Sequence, residues 1–96
     1  MLVWVLYDIS DDGKRNRIAR HCKQAGLIRV QKSAFLGKLE RNRFDELSEL
    51  CKGEIDEEKD SLYLFPFCDE DFKKVKVYGQ GFDRKLVSDD ILQQFF

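Results

Sequence analysis

The chain opens on a near-continuous run of apolar, β-forming residues at positions 2–7, and Asp8 follows directly after it. Such a short run is typical of a strand rather than a helix, and it lacks the alternation of a strand with one solvated face. Strands that are apolar on both sides occur at the centre of sheets that are covered on both faces. We therefore predict a central strand that ends at Asp8.

Two later segments repeat apolar residues at helical spacing. Positions 13–25 and 41–52 each predict a helix with one buried stripe, and Gly26 and Gly53 would end these helices. The side chains at positions 10–12 offer N-cap oxygens for the first helix. The first stripe consists of Ile18, Cys22 and Ala25, and the second of Phe44, Leu47, Leu50 and Cys51.

The remaining apolar segments predict strands. Positions 27–39 are typical of two short strands that are separated near Lys32 and Ser33, and positions 61–67 form another strongly apolar strand. Because Pro66 has no N–H group to donate, that last strand needs a sheet edge or a bulge.

The predicted order is β-α-β-β-α-β followed by an additional short strand, in which Val75 and Val77 alternate with lysines. This order is the ferredoxin-like plan, an α+β sandwich. We expect one ferredoxin-like domain at residues 1–80 and a tail at residues 81–96 that packs on the domain or on a partner protomer.

In the ferredoxin-like plan both helices cover the same face of the sheet, so the second apolar side of the first strand needs another cover. A second copy of the chain is the natural one, and we expect a symmetric homodimer with Phe35, Val75 and Val77 at its interface. The additional strand could pair with its own sheet or with the partner's edge. The sequence does not choose between these arrangements.

Charge is distributed unevenly along the 96 residues, although the net charge is only -1. Residues 1–43 hold ten Lys and Arg against four Asp and Glu, whereas residues 44–96 hold seven against fourteen. The basic half is suited to phosphate contacts, but two ordinary solvated faces would give the same counts. The basic side chains that face away from the first helical stripe are Arg17, Arg20 and Lys23.

Cysteine and histidine usage argues against two kinds of site. The three cysteines are far apart in sequence and form no CxxC pair, and His21 is the only histidine, so neither a zinc site nor a histidine-dependent triad is indicated. We expect the cysteines to be reduced, buried thiols. No secretory signal or membrane span fits the apolar start of the chain, and we expect a cytoplasmic protein.

Three stretches carry a resemblance to a known family. They are Tyr7-Asp8-Ile9-Ser10-Asp11-Asp12 with Arg15 and Arg17 after it, the stretch at positions 29–37, and the stretch at positions 60–66. In order and spacing they resemble the CRISPR-associated Cas-two family. That resemblance implies a ferredoxin-like homodimer that binds RNA or double-stranded DNA and works with the Cas-one integrase to capture new CRISPR spacers.

The resemblance also implies metal-dependent nuclease chemistry, with the aspartate at the end of the first strand as the metal ligand. In this sequence that residue is Asp8, with Arg15 and Arg17 as further catalytic candidates. Mg²⁺, or Mn²⁺ in its place, is often held by one or two carboxylates plus waters and phosphate oxygens. A two-fold axis would bring a second Asp8. The candidates for nucleic-acid contact are Arg17, Arg20, Lys23, Arg29, Lys32 and Ser33.

Other interpretations stay open at this point. Asp8 could be a turn-forming residue in a helix-capping segment. The dimer could be a non-catalytic scaffold that holds duplex DNA and bridges integrase subunits. A toxin-like ribonuclease outside CRISPR systems would have the same size and fold.

Overall fold

The computed structural model describes residues 1–76, 78 and 79. Its strands are β1 (Leu2–Asp8), β2 (Ile28–Gln31), β3 (Ala34–Lys38) and β4 (Ser61–Phe67), and its helices are α1 (Asp12–Gln24), α2 (Arg41–Lys52) and α3 (Asp69–Lys73). The first six elements in chain order confirm the predicted β-α-β-β-α-β plan.

The four strands form one antiparallel sheet in the order β2-β3-β1-β4. β1 is an interior strand, as its two-sided apolar pattern predicts, and it pairs with β3 on one side and with β4 on the other. β4 lies at an edge of this sheet, where the missing N–H of Pro66 is tolerated.

One face of the sheet is covered by α1 and α2, and we call it the helix-side face. Val3, Val5 and Tyr7 of β1 belong to the same core cluster as Ile18 of α1 and Leu47 of α2. Exposure within this cluster is 6% or less, and Val3, Val5 and Ile18 are completely buried. The two predicted helical stripes therefore meet the sheet as expected.

The opposite face of the sheet, called the open face below, carries Trp4 and Leu6 of β1 beside Phe65 and Tyr63 of β4. Only one end of it is covered, by Phe72 of α3, which packs in a cluster with Leu2, Val30, Ala34 and Leu36. Trp4 and Leu6 are partly buried, whereas Tyr63 and Phe65 are 55% and 48% exposed.

The short helix α3 corrects the expectation that nothing in the chain covers the second face. Three acidic residues occupy its first turn, where negative charge favours the N-terminus of a helix, and Phe72 anchors it to the sheet. The helix ends at Lys73, and Val75 packs against the same cluster outside the four described strands. Val77 and the tail at residues 81–96 lie outside the described residues.

Two further expectations need correction. Phe35 is completely buried in the helix-side core of a single chain, packed against Tyr7, because residue 35 of β3 points to the same face as Val5. It is therefore not exposed for a partner as an interface residue. Cys22 and Cys51 are buried as expected, but Cys68 is exposed at the N-cap of α3. No helix within the described residues is long and apolar enough to cross a membrane.

Candidate functional site

Asp8 is the last residue of β1 and its side chain is exposed at one end of the sheet. Its partner across the β1–β4 ladder is Ser61, the first residue of β4. On the other side of β1, the backbone N–H of Tyr7 donates to the carbonyl oxygen of Ser33 at 3.1 Å. The turn between β2 and β3, which carries Lys32 and Ser33, therefore lies beside the strand end that carries Asp8.

Arg15 holds the turn that follows Asp8. Its Nη1 atom donates to the carbonyl oxygens of Ile9 and Ser10, at 3.0 Å each, and its Nη2 atom pairs with the carboxylate of Asp12. Asp11 caps α1 by accepting a hydrogen bond from the N–H of Lys14 at 2.8 Å. The guanidinium of Arg15 is thus engaged with the backbone behind Asp8, and its role in this structure is to position the turn.

Lys14 is a cation at this end of the sheet that the sequence interpretation missed. Its Nζ atom lies 3.9 Å from a carboxylate oxygen of Asp60, whose side chain is only 4% exposed. The same oxygen of Asp60 accepts the N–H of Asp56 at 2.8 Å. Because Asp60 immediately precedes Ser61, this pair ties the first turn of α1 to the start of β4. The available signal was the position of Lys14 in the first helical turn after Asp8.

Arg17 is engaged by an acidic residue that is distant in sequence. Its Nε atom pairs with Glu54, just beyond α2, and the other carboxylate oxygen of Glu54 lies 3.9 Å from Nε2 of His21. The Arg17 side chain is 44% exposed, so its guanidinium still borders solvent. In the folded chain it links α1 to the end of α2, in addition to any contact with phosphate.

Arg29 joins the site through two aromatic residues. Its guanidinium carbon lies 5.1 Å from the centre of the Phe35 ring, a cation–π distance, and its side chain hydrogen bonds to the hydroxyl of Tyr7. Burial raises the pKa of the Tyr7 hydroxyl above its ordinary value, and the contact with Arg29 partly opposes that shift. Tyr7 and Arg29 thus brace the helix-side face directly beside Asp8.

The predicted contact residues do not form one patch. Lys32 and Ser33 lie beside the strand end, whereas Arg20 and Lys23 are exposed on α1. At 1.5 Å of rise per residue they lie about 12 and about 16 Å along the helix from Asp12. The structure brings Asp8, Lys32 and Ser33 together and separates them from the basic end of α1.

A divalent cation needs more oxygen ligands than the Asp8 carboxylate alone supplies. Within residues 1–76, 78 and 79 there is no cluster of three or more His, Cys, Asp or Glu side chains. The carbonyl oxygens of Ile9 and Ser10, the nearest in sequence, already accept from Arg15. The described part of one chain therefore offers Asp8 without a complete protein cage, which fits a Mg²⁺ ion that keeps most of its waters or shares ligands with a second copy.

Comparison with known proteins agrees with this architecture. The family model described as CRISPR associated protein Cas2 matches residues 1–75. A relative from Korarchaeum cryptofilum, named CRISPR-associated endoribonuclease Cas2, is 37% identical over 79 residues, which cover 82% of this chain and 85% of the relative. A relative of the same name from Thermofilum pendens is 34% identical over 89 residues, covering 93% and 94% of the two chains.

Solved structures give the same result. A hypothetical protein from Thermus thermophilus superposes with a TM-score of 0.69 at 32% identity, covering 83% of this chain and 92% of that one. Streptococcus pyogenes Cas2, solved at pH 6.5, superposes with a TM-score of 0.65 at 25% identity, covering 82% of this chain and all of that one. The matched sequence includes Asp8, the turn held by Arg15 and all four strands, and the chain belongs to the CRISPR-associated Cas2 family.

Proposed function

We propose that this protein is a Mg²⁺- or Mn²⁺-dependent endonuclease that acts as a symmetric dimer on RNA or double-stranded DNA, with Asp8 as its catalytic carboxylate. The observation that carries the proposal is the exposed Asp8 at the end of an interior strand, inside the segment that matches the Cas2 family. Several relatives are named endoribonucleases, which supports RNA as the first substrate to test.

The dimer is part of the proposal for two reasons. One chain presents Asp8 without a cluster of further ligands among its described residues. The same chain leaves the aromatic side chains of Tyr63 and Phe65 exposed on the open face. A second copy packed on that face would cover the aromatic pair and would add a second carboxylate. Val75 and Val77 stay candidates for this interface.

Each nearby side chain has a defined part in the proposed chemistry. Asp8 would hold the divalent cation, which supplies Lewis-acid stabilisation of a phosphodiester when it is bound. Lys14 and Lys32, both near the strand end, would attract the phosphate backbone. Arg15 fixes the turn behind Asp8, so that the carboxylate meets the phosphate in one orientation. Arg17 borders solvent beside Glu54 and is a candidate to stabilise developing negative charge.

The test is cleavage of labelled single-stranded RNA and duplex DNA by the wild-type protein and by Asp8→Asn. Cleavage should require Mg²⁺ or Mn²⁺ and stop on chelation, and Asp8→Asn should reduce the rate by at least about 100-fold because a required ionised group is lost. Asp11→Asn is the matched control, since it removes the same charge from the same turn while asparagine still caps α1. The self-association of Asp8→Asn should equal that of wild type.

Equal cleavage by Asp8→Asn and wild type would show that the chemistry lies elsewhere or in a contaminant. A specific observation then favours a second function, a non-catalytic scaffold in spacer acquisition: Arg20 and Lys23 are exposed on α1 away from the strand end. Such a dimer, in the cytoplasm, would hold duplex DNA and bridge subunits of the Cas-one integrase. In that case Asp8→Asn would spare spacer capture in cells, and DNA binding would weaken steeply with salt.

A further inference from the structure

Two thiols meet in the interior of the molecule, between the helices. Cys22 of α1 and Cys51 of α2 are each completely buried in the helix-side core. The thiol of Cys22 donates a hydrogen bond to the sulfur of Cys51. That contact raises the pKa of Cys22 and lowers the pKa of Cys51. The two residues lie in different helices and far apart in sequence, so tertiary packing alone brings them together.

We propose that Cys22 and Cys51 are a redox site that closes reversibly to an internal disulfide linking α1 to α2, with a small organic disulfide as its oxidant. The Cys51 thiolate attacks one sulfur of the oxidant and expels the first thiolate. Cys22 then loses its proton and attacks the Cys51 sulfur of the mixed disulfide, which expels the second thiolate. The protein gives up two electrons and two protons, and the oxidant becomes two thiols.

The surroundings of the pair favour closure. Ala19 of α1 is a small residue in the same core cluster and allows the helices to approach closely. The ends of the helix pair are already fastened, because Glu54 beyond α2 pairs with Arg17 of α1. The two sulfurs already touch, so closure needs a local adjustment of two side chains rather than a rearrangement of the sheet.

A small oxidant has a defined approach to the pair. A groove of about 110 Å³ opens between α1 and α2, and His21 and Leu50 in its lining are the sequence neighbours of Cys22 and Cys51. Ala25 and Leu47, one helical turn from each cysteine, also line it. The floor of this groove separates solvent from the thiol pair, so local opening of a single turn admits the oxidant.

The experiment uses the full chain with Cys68→Ser, which removes the exposed thiol and prevents links between molecules. Folded, reduced protein is treated with bis(2-hydroxyethyl) disulfide and analysed by mass spectrometry. The expected product is lighter by about 2 Da, as loss of two hydrogens requires, and returns to its original mass in dithiothreitol. Trypsin should release residues 21–23 joined to residues 44–52. The Tm should rise by about 10 °C, since a cross-link between distant positions constrains the unfolded chain.

Cys22→Ala and Cys51→Ala in the same background are the matched controls, with folding checked by circular dichroism. Each should give at most a mixed disulfide with half of the probe and no internal cross-link. The proposal is overturned if the folded wild-type pair gives no cross-link while the unfolded chain reacts with the probe. It is equally overturned if the cross-link forms only when the probe is present during refolding, because the site would then not exist in the folded protein.

Discussion

The two faces of the sheet are built from the same strands but differ in how far one chain covers them. On the helix-side face, Val3, Val5 and Phe35 have no exposed surface, because α1 and α2 pack over them. On the open face, Tyr63 and Phe65 are half exposed and stacked on each other, with ring centres 6.0 Å apart. A short helix covers only the end near Leu2.

This difference separates what the fold needs from what the function needs. The helix-side face is complete within one chain, so its residues determine whether the chain folds. The open face retains apolar surface of the kind that marks a site of association in soluble proteins. Asp8 lies where β1 passes out of both, at the end of the sheet, so its environment depends on the fold of one chain and on what binds the open face.

The largest expected effect comes from the complete face. Phe35→Ala should lower the free energy of unfolding by about 3–5 kcal/mol, because it empties a fully buried ring site and removes the cation–π partner of Arg29. Urea denaturation measures the loss. Leu50→Ala, on the exposed part of α2 with 46% exposure, is the control and should cost far less. Similar losses in the two variants would mean that the helix-side core is not packed as described.

The next effect concerns the open face and self-association. Phe65→Glu should weaken the dimer by about 100-fold or more, because each copy would bury an unpaired carboxylate against the other. Sedimentation equilibrium measures the dissociation constant. Leu50→Glu is a matched control, since Leu50 and Phe65 have nearly equal exposure, 46% and 48%, on opposite sides of the molecule. A dimer as tight in Phe65→Glu as in wild type would place the interface elsewhere.

The sequence predicted those parts of the fold that local pattern determines. The two-sided apolar run of β1 requires a central position, and Pro66 requires an edge, so both strands could be placed from their residues alone. The boundaries of α2 follow directly from its helical spacing and from Gly53. These signals are strong because each depends on residues only a few positions apart.

What the sequence did not predict depends on tertiary contacts. The helix α3 has five residues, too few for a periodic signal, and is held by Phe72 against the sheet. The engagement of Arg17 by Glu54 joins residues 37 positions apart, and the meeting of Cys22 with Cys51 is equally non-local. At the candidate site, the motif located Asp8, but the role of Arg15 in holding the turn required the backbone geometry.

The smallest expected effect compares one tyrosine on each face as the pH changes. Burial raises the pKa of Tyr7 in the folded chain above its value of about 10 in the unfolded chain. The stabilisation is therefore fully present below about pH 10 and is lost as the pH rises from there through the folded-state pKa, since the unfolded state loses its proton first. Tyr7→Phe cannot titrate, so its stability should fall less steeply than that of wild type above pH 10.

At pH 8 Tyr7→Phe should also cost about 1 kcal/mol, because it removes the hydroxyl that bonds with Arg29. Tyr63→Phe, which removes a hydroxyl from the open face, is the matched control at pH 8 and should cost less than about 0.5 kcal/mol. Urea denaturation of the three proteins from pH 8 to pH 11 measures both quantities. Parallel pH curves for Tyr7→Phe and wild type would show that the Tyr7 hydroxyl is as well solvated in the folded chain as in the unfolded one. The brace beside Asp8 would then not be closed to water, and the helix-side face would be less complete at that end than the buried residues of β1 indicate.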